Sequence, residues 1–186
     1  MRDFHYNEIY LCKHNLGVIQ PGFTVITLGT SLRGDDNIAH VLVDSLDAQT
    51  KQNLCIFNLG EFTNYLSYCL HGHQAMLIID AVYNKNPPSS KDSVIIIELH
   101  NILKNKADMA VFSSHGFSFL DELVVLASQN QLPSFAYFFG VEINSCLGYN
   151  TLSNETQNNL TDVTNKLASL IAEVKALLLK NQPFYA

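Results

Sequence analysis

The segment Ala75-Met76-Leu77-Ile78-Ile79-Asp80 is the clearest structural signal in the sequence, because five consecutive apolar residues end on a carboxylate. An apolar run without alternation is typical of a strand that is buried on both faces, as in a parallel sheet. Helices must then cover both faces of that sheet. This segment therefore predicts an α/β protein with a polar residue at the end of a central strand.

The rest of the chain alternates between strand-like and helix-like patterns. Further strands are predicted at 23–28, 54–59, 94–97 and 135–143, and helices at 38–46, 62–70, 119–129 and 155–180. The order predicts a three-layer α/β sandwich, with a twisted, mostly parallel sheet of about five strands between helices. We interpret residues 1–22, which end at the turn signal Pro21-Gly22, as an N-terminal extension, and 23–186 as a single α/β domain.

Composition narrows the class of protein. The chain has 186 residues, of which 47% are hydrophobic, and a formal net charge of -6 without a basic run, so nucleic-acid binding is not expected. No apolar stretch reaches the roughly 18 residues of a membrane helix, and the N-terminus lacks an apolar signal core, so we expect a cytoplasmic protein that does not bind a membrane. The four cysteines lack CxxC spacing and are predicted to be buried, reduced thiols.

Three polar residues occupy the places where ligands bind in such folds, beyond the carboxyl ends of parallel strands. Asp36 follows the first strand, Asp80 is predicted to cap the end of the buried strand, and His115 precedes a helix. Two carboxylates and one imidazole suit a borderline divalent ion such as nickel or zinc. The alternatives are that Asp35 or Asp36 caps a helix, that loop amides satisfy Asp80, and that His115 is a structural or surface residue.

Other chemistries have weaker support. The loop 29–36 lacks GxGxxG spacing, and its two adjacent carboxylates would repel a phosphate, which argues against nucleotide binding. Ser113-Ser114 is not a G-x-S-x-G elbow, which argues against a serine hydrolase. His71-Gly72-His73 could form a second metal site, although exposure in a turn is the simpler interpretation.

Three motifs stand in a fixed order along the chain. They are Gly29-Thr30-Ser31-Leu32-Arg33-Gly34-Asp35-Asp36-Asn37-Ile38-Ala39, Leu77-Ile78-Ile79-Asp80-Ala81 and Ser113-Ser114-His115-Gly116. The set resembles the nickel–iron hydrogenase maturation protease family, whose first motif is G-N-x-L-x-x-D-[DE]-G-x-G, and the resemblance covers roughly residues 23–180.

The resemblance implies a hydrolase, an endopeptidase that removes the C-terminal extension of a hydrogenase large-subunit precursor. It implies that Asp36, Asp80 and His115 are both the metal ligands and the catalytic residues. The metal would be nickel that arrives on the precursor, and zinc or cadmium could replace it in a crystal. The precursor is then the expected protein partner. The single apolar stripe of the helix at 155–180 suits internal packing, so we expect a monomer rather than a dimer.

The sequence departs from the family pattern at Thr30, Asn37 and Ala39, where the family has asparagine, glycine and glycine. Asn37 tolerates a positive φ better than most residues, so we expect the tight turn to survive. The departures also leave room for an alternative, a non-catalytic member that binds the metal-loaded precursor without cleaving it.

Overall fold

The computed structural model describes residues 22–30, 32–70, 72–83, 93–104, 117–144 and 151–181. Within them the strands are β1 (Gly22–Leu28), β2 (Leu54–Gly60), β3 (His73–Tyr83), β4 (Val94–Glu98) and β5 (Phe135–Ile143). The helices are α1 (Ile38–Ser45), α2 (Ala48–Lys51), α3 (Leu66–Cys69), α4 (Leu99–Lys104), α5 (Phe117–Ser128) and α6 (Asn154–Lys180). Short 3-10 turns span Gly34–Asn37 and Thr63–Tyr65.

The five strands form one sheet in the order β2-β1-β3-β5-β4. All neighbours are parallel except β4, which runs antiparallel to β5. The chain leaves β1 towards β2 and returns on the other side of β1 to form β3. The strand order therefore reverses between β1 and β3, and such a switch point leaves a crevice at the carboxyl ends of the strands.

Two apolar clusters cover the two faces of the sheet, which confirms the predicted three-layer α/β architecture. Alternate residues of the central strands pack against α1 and α6 on one face, and the other set packs against α3, α4 and α5. The apolar stripe of α6 lies on the sheet, as predicted, through Val163, Leu167, Leu170, Ile171, Val174 and Leu178. A strand buried on both faces explains why the segment Ala75–Ile79 shows no alternation.

The central strand β3 is longer than predicted. Its pairing with β1 stops at Thr27 and Ile79, but its pairing with β5 continues until Tyr83 meets Ile143. Asp80 therefore lies inside the strand rather than capping its end, and that prediction is wrong. Aspartate is depleted in strands, but pairing with β5 outweighs this preference.

Other differences from the predictions are local. Helix α2 was not expected, and it begins where the Asp47 side chain accepts a hydrogen bond from the Thr50 N–H. Cys69 is free and buried, as expected, whereas Cys55 on β2 is disulfide-bonded, so the expectation of a reduced thiol is wrong there. Gly22, assigned to the N-terminal extension, is the first residue of β1, and residues 1–21 lie outside the described residues. No helix in the described ranges is long and apolar enough to cross a membrane.

Candidate functional site

The loop after β1 turns sharply at Gly29. Its φ is +99°, a value that side chains disfavour, and a Cβ built there would lie 2.1 Å from the main-chain oxygen of Asp36. The Gly29 N–H donates to the carbonyl oxygen of Gly60 at 3.2 Å, which fastens the turn to the end of β2. Only glycine lets the loop fold back so closely over β1.

Asp36 lies on the 3-10 turn that follows, and it is 2% exposed. Its Oδ2 accepts a hydrogen bond from the Thr30 N–H at 2.8 Å. The side chain thus turns back towards the end of β1. The capping alternative is wrong for this residue, because no side chain caps the 3-10 turn or α1. The 3-10 turn also contacts β3, which brings Asp36 to the strand that carries Asp80.

Asp80 is completely buried, with 0% exposure. Its Oδ1 accepts a hydrogen bond from the neighbouring Ala81 N–H at 2.8 Å. It is the first residue of β3 beyond the last pair with β1, so it borders the crevice into which the loop of Asp36 folds. The structure therefore brings these two predicted site residues to the carboxyl end of the sheet, at the switch point between β1 and β3.

Two residues next to Asp36, Thr30 through its hydrogen bond and Asn37 in sequence, carry buried side-chain oxygens. Thr30 Oγ1 and Asn37 Oδ1 are buried and have no hydrogen-bond partner in the part of the chain that the structure describes. Buried polar atoms are nearly always paired in native proteins, so both oxygens are candidate contacts for a ligand. The described ranges contain no group of three His, Cys, Asp or Glu residues arranged to hold a metal.

The third predicted ligand, His115, lies outside the described residues. The helix that follows it in sequence, α5, starts at Phe117. Near its start, Phe119 packs on Phe138, which pairs with Ile78 near the middle of β3. Its far end, at Leu126, lines an open groove of about 580 Å³ with His73, at the amino end of β3. Helix α5 therefore starts towards the carboxyl end of the central strands, which is the end where Asp80 lies.

Asp35, the neighbour of Asp36, makes a structural contact with a distant part of the chain. Its carboxylate accepts two hydrogen bonds from Ser153, from the backbone N–H at 2.6 Å and from the hydroxyl at 2.7 Å. Ser153 is the N-cap of α6, and its Oγ accepts from the Thr156 N–H at 3.3 Å. Asp35 thus holds the cap of a distant helix rather than capping its own, so the adjacent carboxylates are divided between a structural contact and the site.

His40, on α1, contacts the same loop and was not singled out from the sequence. Its Nε2 lies 3.0 Å from the carbonyl oxygen of Gly29, and its Nδ1 lies 2.9 Å from Thr27 Oγ1. The Thr27 hydroxyl also donates to Asn58 Oδ1 at 2.7 Å. The only sequence signal is that His40 follows Asp36 by four residues, which places the two on neighbouring turns of helical structure.

The pair His71 and His73, considered as a possible second metal site, is only partly described, because His71 lies outside the described residues. His73 begins β3 and packs on Gly22, where a Cβ would lie 2.3 Å from its Nδ1. It lies at the amino end of the sheet, away from Asp80.

Comparison with known proteins gives matches only among solved structures. No protein-family profile and no curated protein matches the sequence. The hydrogenase maturating endopeptidase HybD from E. coli superposes with a TM-score of 0.66 at 18% identity, over 82% of this chain and 93% of that one. The [NiFe] hydrogenase maturation protease HybD from Thermococcus kodakarensis superposes with a TM-score of 0.61 at 20% identity, over 80% and 99%. An endopeptidase from Escherichia coli gives 0.62 at 20% identity, over 82% and 94%.

The chain has the fold of the hydrogenase maturation proteases. Because the match covers nearly all of each of these proteins, it concerns the whole maturation-protease fold and not an isolated motif. The predicted fold class and the resemblance found in the sequence are confirmed at the level of the fold. At these identities the fold similarity does not extend to the chemistry, which depends on the residues of the site.

Proposed function

We propose that this protein is an endopeptidase that removes the C-terminal extension of a hydrogenase large-subunit precursor. In this proposal Asp36, Asp80 and His115 hold the nickel ion that the precursor carries. The observation that supports it most strongly is that two buried carboxylates, distant in sequence, border the switch-point crevice of a maturation-protease fold.

Burial makes these carboxylates informative. Asp36 is 2% exposed and Asp80 is 0% exposed, and each accepts a backbone N–H at 2.8 Å. If the two carboxylates share one site, as we propose, a bound cation compensates the repulsion between their charges. A divalent ion that arrives with the substrate supplies that compensation and gives the enzyme a means to select the loaded precursor.

Nickel fits the donor set that we propose. Carboxylate oxygens and an imidazole nitrogen bind borderline divalent ions, so zinc or cadmium could take the same position. A bound divalent ion can polarise a peptide carbonyl or lower the pKa of a water. The chain's own residues would fix the ion and the scissile peptide, and the unpartnered oxygens of Thr30 and Asn37 would face the substrate.

The setting of the reaction is part of the proposal. We propose that the protein acts in the cytoplasm, where a precursor would be matured, and that it acts as a monomer. The packing of the α6 apolar stripe on the sheet supports the monomer, because this stripe is then not available as a dimer seam.

Incubation of the protein with a nickel-loaded precursor, followed by mass spectrometry, tests the proposal. We expect the precursor to lose the mass of its tail. Asp36→Asn, Asp80→Asn and His115→Ala should each abolish this loss. Asp44→Asn is the matched control, because Asp44 is an exposed aspartate on α1 and should leave cleavage unchanged. An intact precursor, under conditions in which an established maturation endopeptidase cleaves its own substrate, would refute the proposal.

The same experiment separates the alternative, a member that binds the precursor without cleaving it. That alternative rests on the presence of Asn37 and Ala39 at positions where the family has glycines. Asn37 has a φ of -79°, and Ala39 is buried within α1, so both fit helical backbone and neither position requires a glycine. A stable complex of full-length precursor with this protein, without release of the tail, would favour the alternative.

A further inference from the structure

His40 has a defined hydrogen-bonding role at the turn after β1. The carbonyl oxygen of Gly29 can only accept a hydrogen bond, so the His40 Nε2 that lies 3.0 Å from it must carry a proton and donate it. The other ring nitrogen, Nδ1, lies 2.9 Å from the Oγ1 of fully buried Thr27, whose hydroxyl donates to Asn58 Oδ1 at 2.7 Å. Both edges of the imidazole are engaged, so the ring is fixed relative to β1 and β2.

The peptide group that His40 contacts is the one that binds Asp36. The carbonyl of Gly29 and the N–H of Thr30 belong to a single planar trans peptide, in which the two groups point in opposite directions. His40 donates to the carbonyl end at 3.0 Å, and the N–H end donates to Asp36 Oδ2 at 2.8 Å. The peptide is therefore clamped between an imidazole and a carboxylate.

This clamp links the orientation of the peptide to that of Asp36. If the peptide rotates, its N–H leaves the carboxylate, and the buried Asp36 loses a donor. A donor at the carbonyl also polarises the peptide and strengthens the hydrogen bond at its other end. The link does not depend on direct contact between His40 and Asp36.

We propose that His40 is a positioning residue for Asp36, acting through the Gly29–Thr30 peptide to fix the carboxylate in the geometry that receives the metal. The part of this inference that concerns the metal depends on the function proposed above, whereas the clamp itself does not. Groups that orient a metal ligand affect metal affinity by roughly 10- to 100-fold in other proteins. We expect an effect in this range for His40.

The first test is independent of any metal. In the full-length protein, the amide proton of Thr30 is observed by NMR in wild type, His40→Leu and His40→Gln. The leucine variant should move this resonance upfield and increase its hydrogen exchange, because the hydrogen bond to Asp36 weakens. The glutamine variant, whose amide can still donate to Gly29, should restore most of the shift. An unchanged Thr30 resonance in the leucine variant would overturn the proposal.

The second test measures metal binding by calorimetry with Ni²⁺ alone and with Zn²⁺ alone. His40→Leu should weaken binding at least about tenfold, as substitutions of groups that orient metal ligands do, and His40→Gln should recover it. His100→Leu is the matched control, because His100 is also half-buried and its Nε2 also lies near a carbonyl, that of Pro133 at 2.8 Å, but on α4. Equal losses in both leucine variants, with equal losses of thermal stability, would assign His40 a merely structural role and overturn the proposal.

The two proposals fail in different ways. If wild-type protein leaves the precursor intact but His40→Leu shifts the Thr30 resonance and weakens metal binding, the endopeptidase fails and the positioning role stands. If cleavage proceeds and His40→Leu cleaves as fast as wild type with an unchanged Thr30 resonance, the positioning role fails and the endopeptidase stands.

Discussion

Replacing Asp35 with alanine should lower the free energy of unfolding strongly. The carboxylate is 3% exposed and accepts two short hydrogen bonds from Ser153, at 2.6 and 2.7 Å. Hydrogen bonds to charged groups contribute about 1.5–3 kcal/mol each, so we expect a loss of about 3–6 kcal/mol for the two. The variant should still fold, because domains of this size have stabilities of about 5–15 kcal/mol.

Urea unfolding checks this value, and the m-value should stay the same if only stability changes. Ser153→Ala provides the matched partner. This variant keeps the backbone N–H and removes the hydroxyl. It should cost about 1 kcal/mol for the lost cap, and the lost hydrogen bond from the hydroxyl to Asp35 adds to that cost. In the double variant the two costs should not add, with a coupling energy of about 0.5–3 kcal/mol. A cost below about 1 kcal/mol for Asp35→Ala, or simple additivity, would refute the reasoning.

Other perturbations test separate features. Gly29→Ala should cost more than about 2 kcal/mol, from the positive φ and the overlap with the Asp36 carbonyl, and should abolish metal binding, measured by urea unfolding and calorimetry. Hydrogen bonds from Thr50 lower the pKa of Asp47 below 3.8, so its stabilisation is present above that pH and disappears as the pH falls further. Wild type and Asp47→Ala should therefore differ in Tm at pH 7, and the difference should shrink as the pH falls below 3.8. An undiminished difference at low pH would contradict this. Burial raises the pKa of Cys69 to about 12, so peptide mass spectrometry should find it unmodified by iodoacetamide at pH 8 until the protein is denatured.

The sheet could be predicted from the sequence because its strands are nearly continuous apolar runs. The predicted strand 135–143 has the bounds that the structure gives, and the buried run 75–79 lies at the centre of β3. The largest error in the strand bounds was in β3, which the sequence confined to 75–79 and which spans His73–Tyr83. A propensity rule counts a residue by type, whereas the partner strand β5 supplies hydrogen bonds along the whole of β3.

The candidate site could be predicted only in part from the sequence. Asp36 and Asp80 were found because strand ends of a parallel sheet collect ligands, and the structure places both at the switch point. The roles of Asp35 and Asp36 could not be separated, because the partner of Asp35 is Ser153, which lies 118 residues further along the chain. His40 was not found because a single helix histidine gains meaning only from its contacts with Thr27 and Gly29. The role of His115 stays a prediction.

The contact between Asp35 and Ser153 has a consequence for the time at which the protein becomes competent during its synthesis. The two residues are separated by 118 positions, and ribosomes add about 5–20 residues per second, so roughly ten seconds pass between their appearances. During that interval the carboxylate of Asp35 lacks the amide and hydroxyl that bury it, and the adjoining turn lacks its outer support. The nascent chain would therefore acquire a finished crevice only after its last long helix has emerged, which delays any encounter with a substrate until the whole sheet is covered.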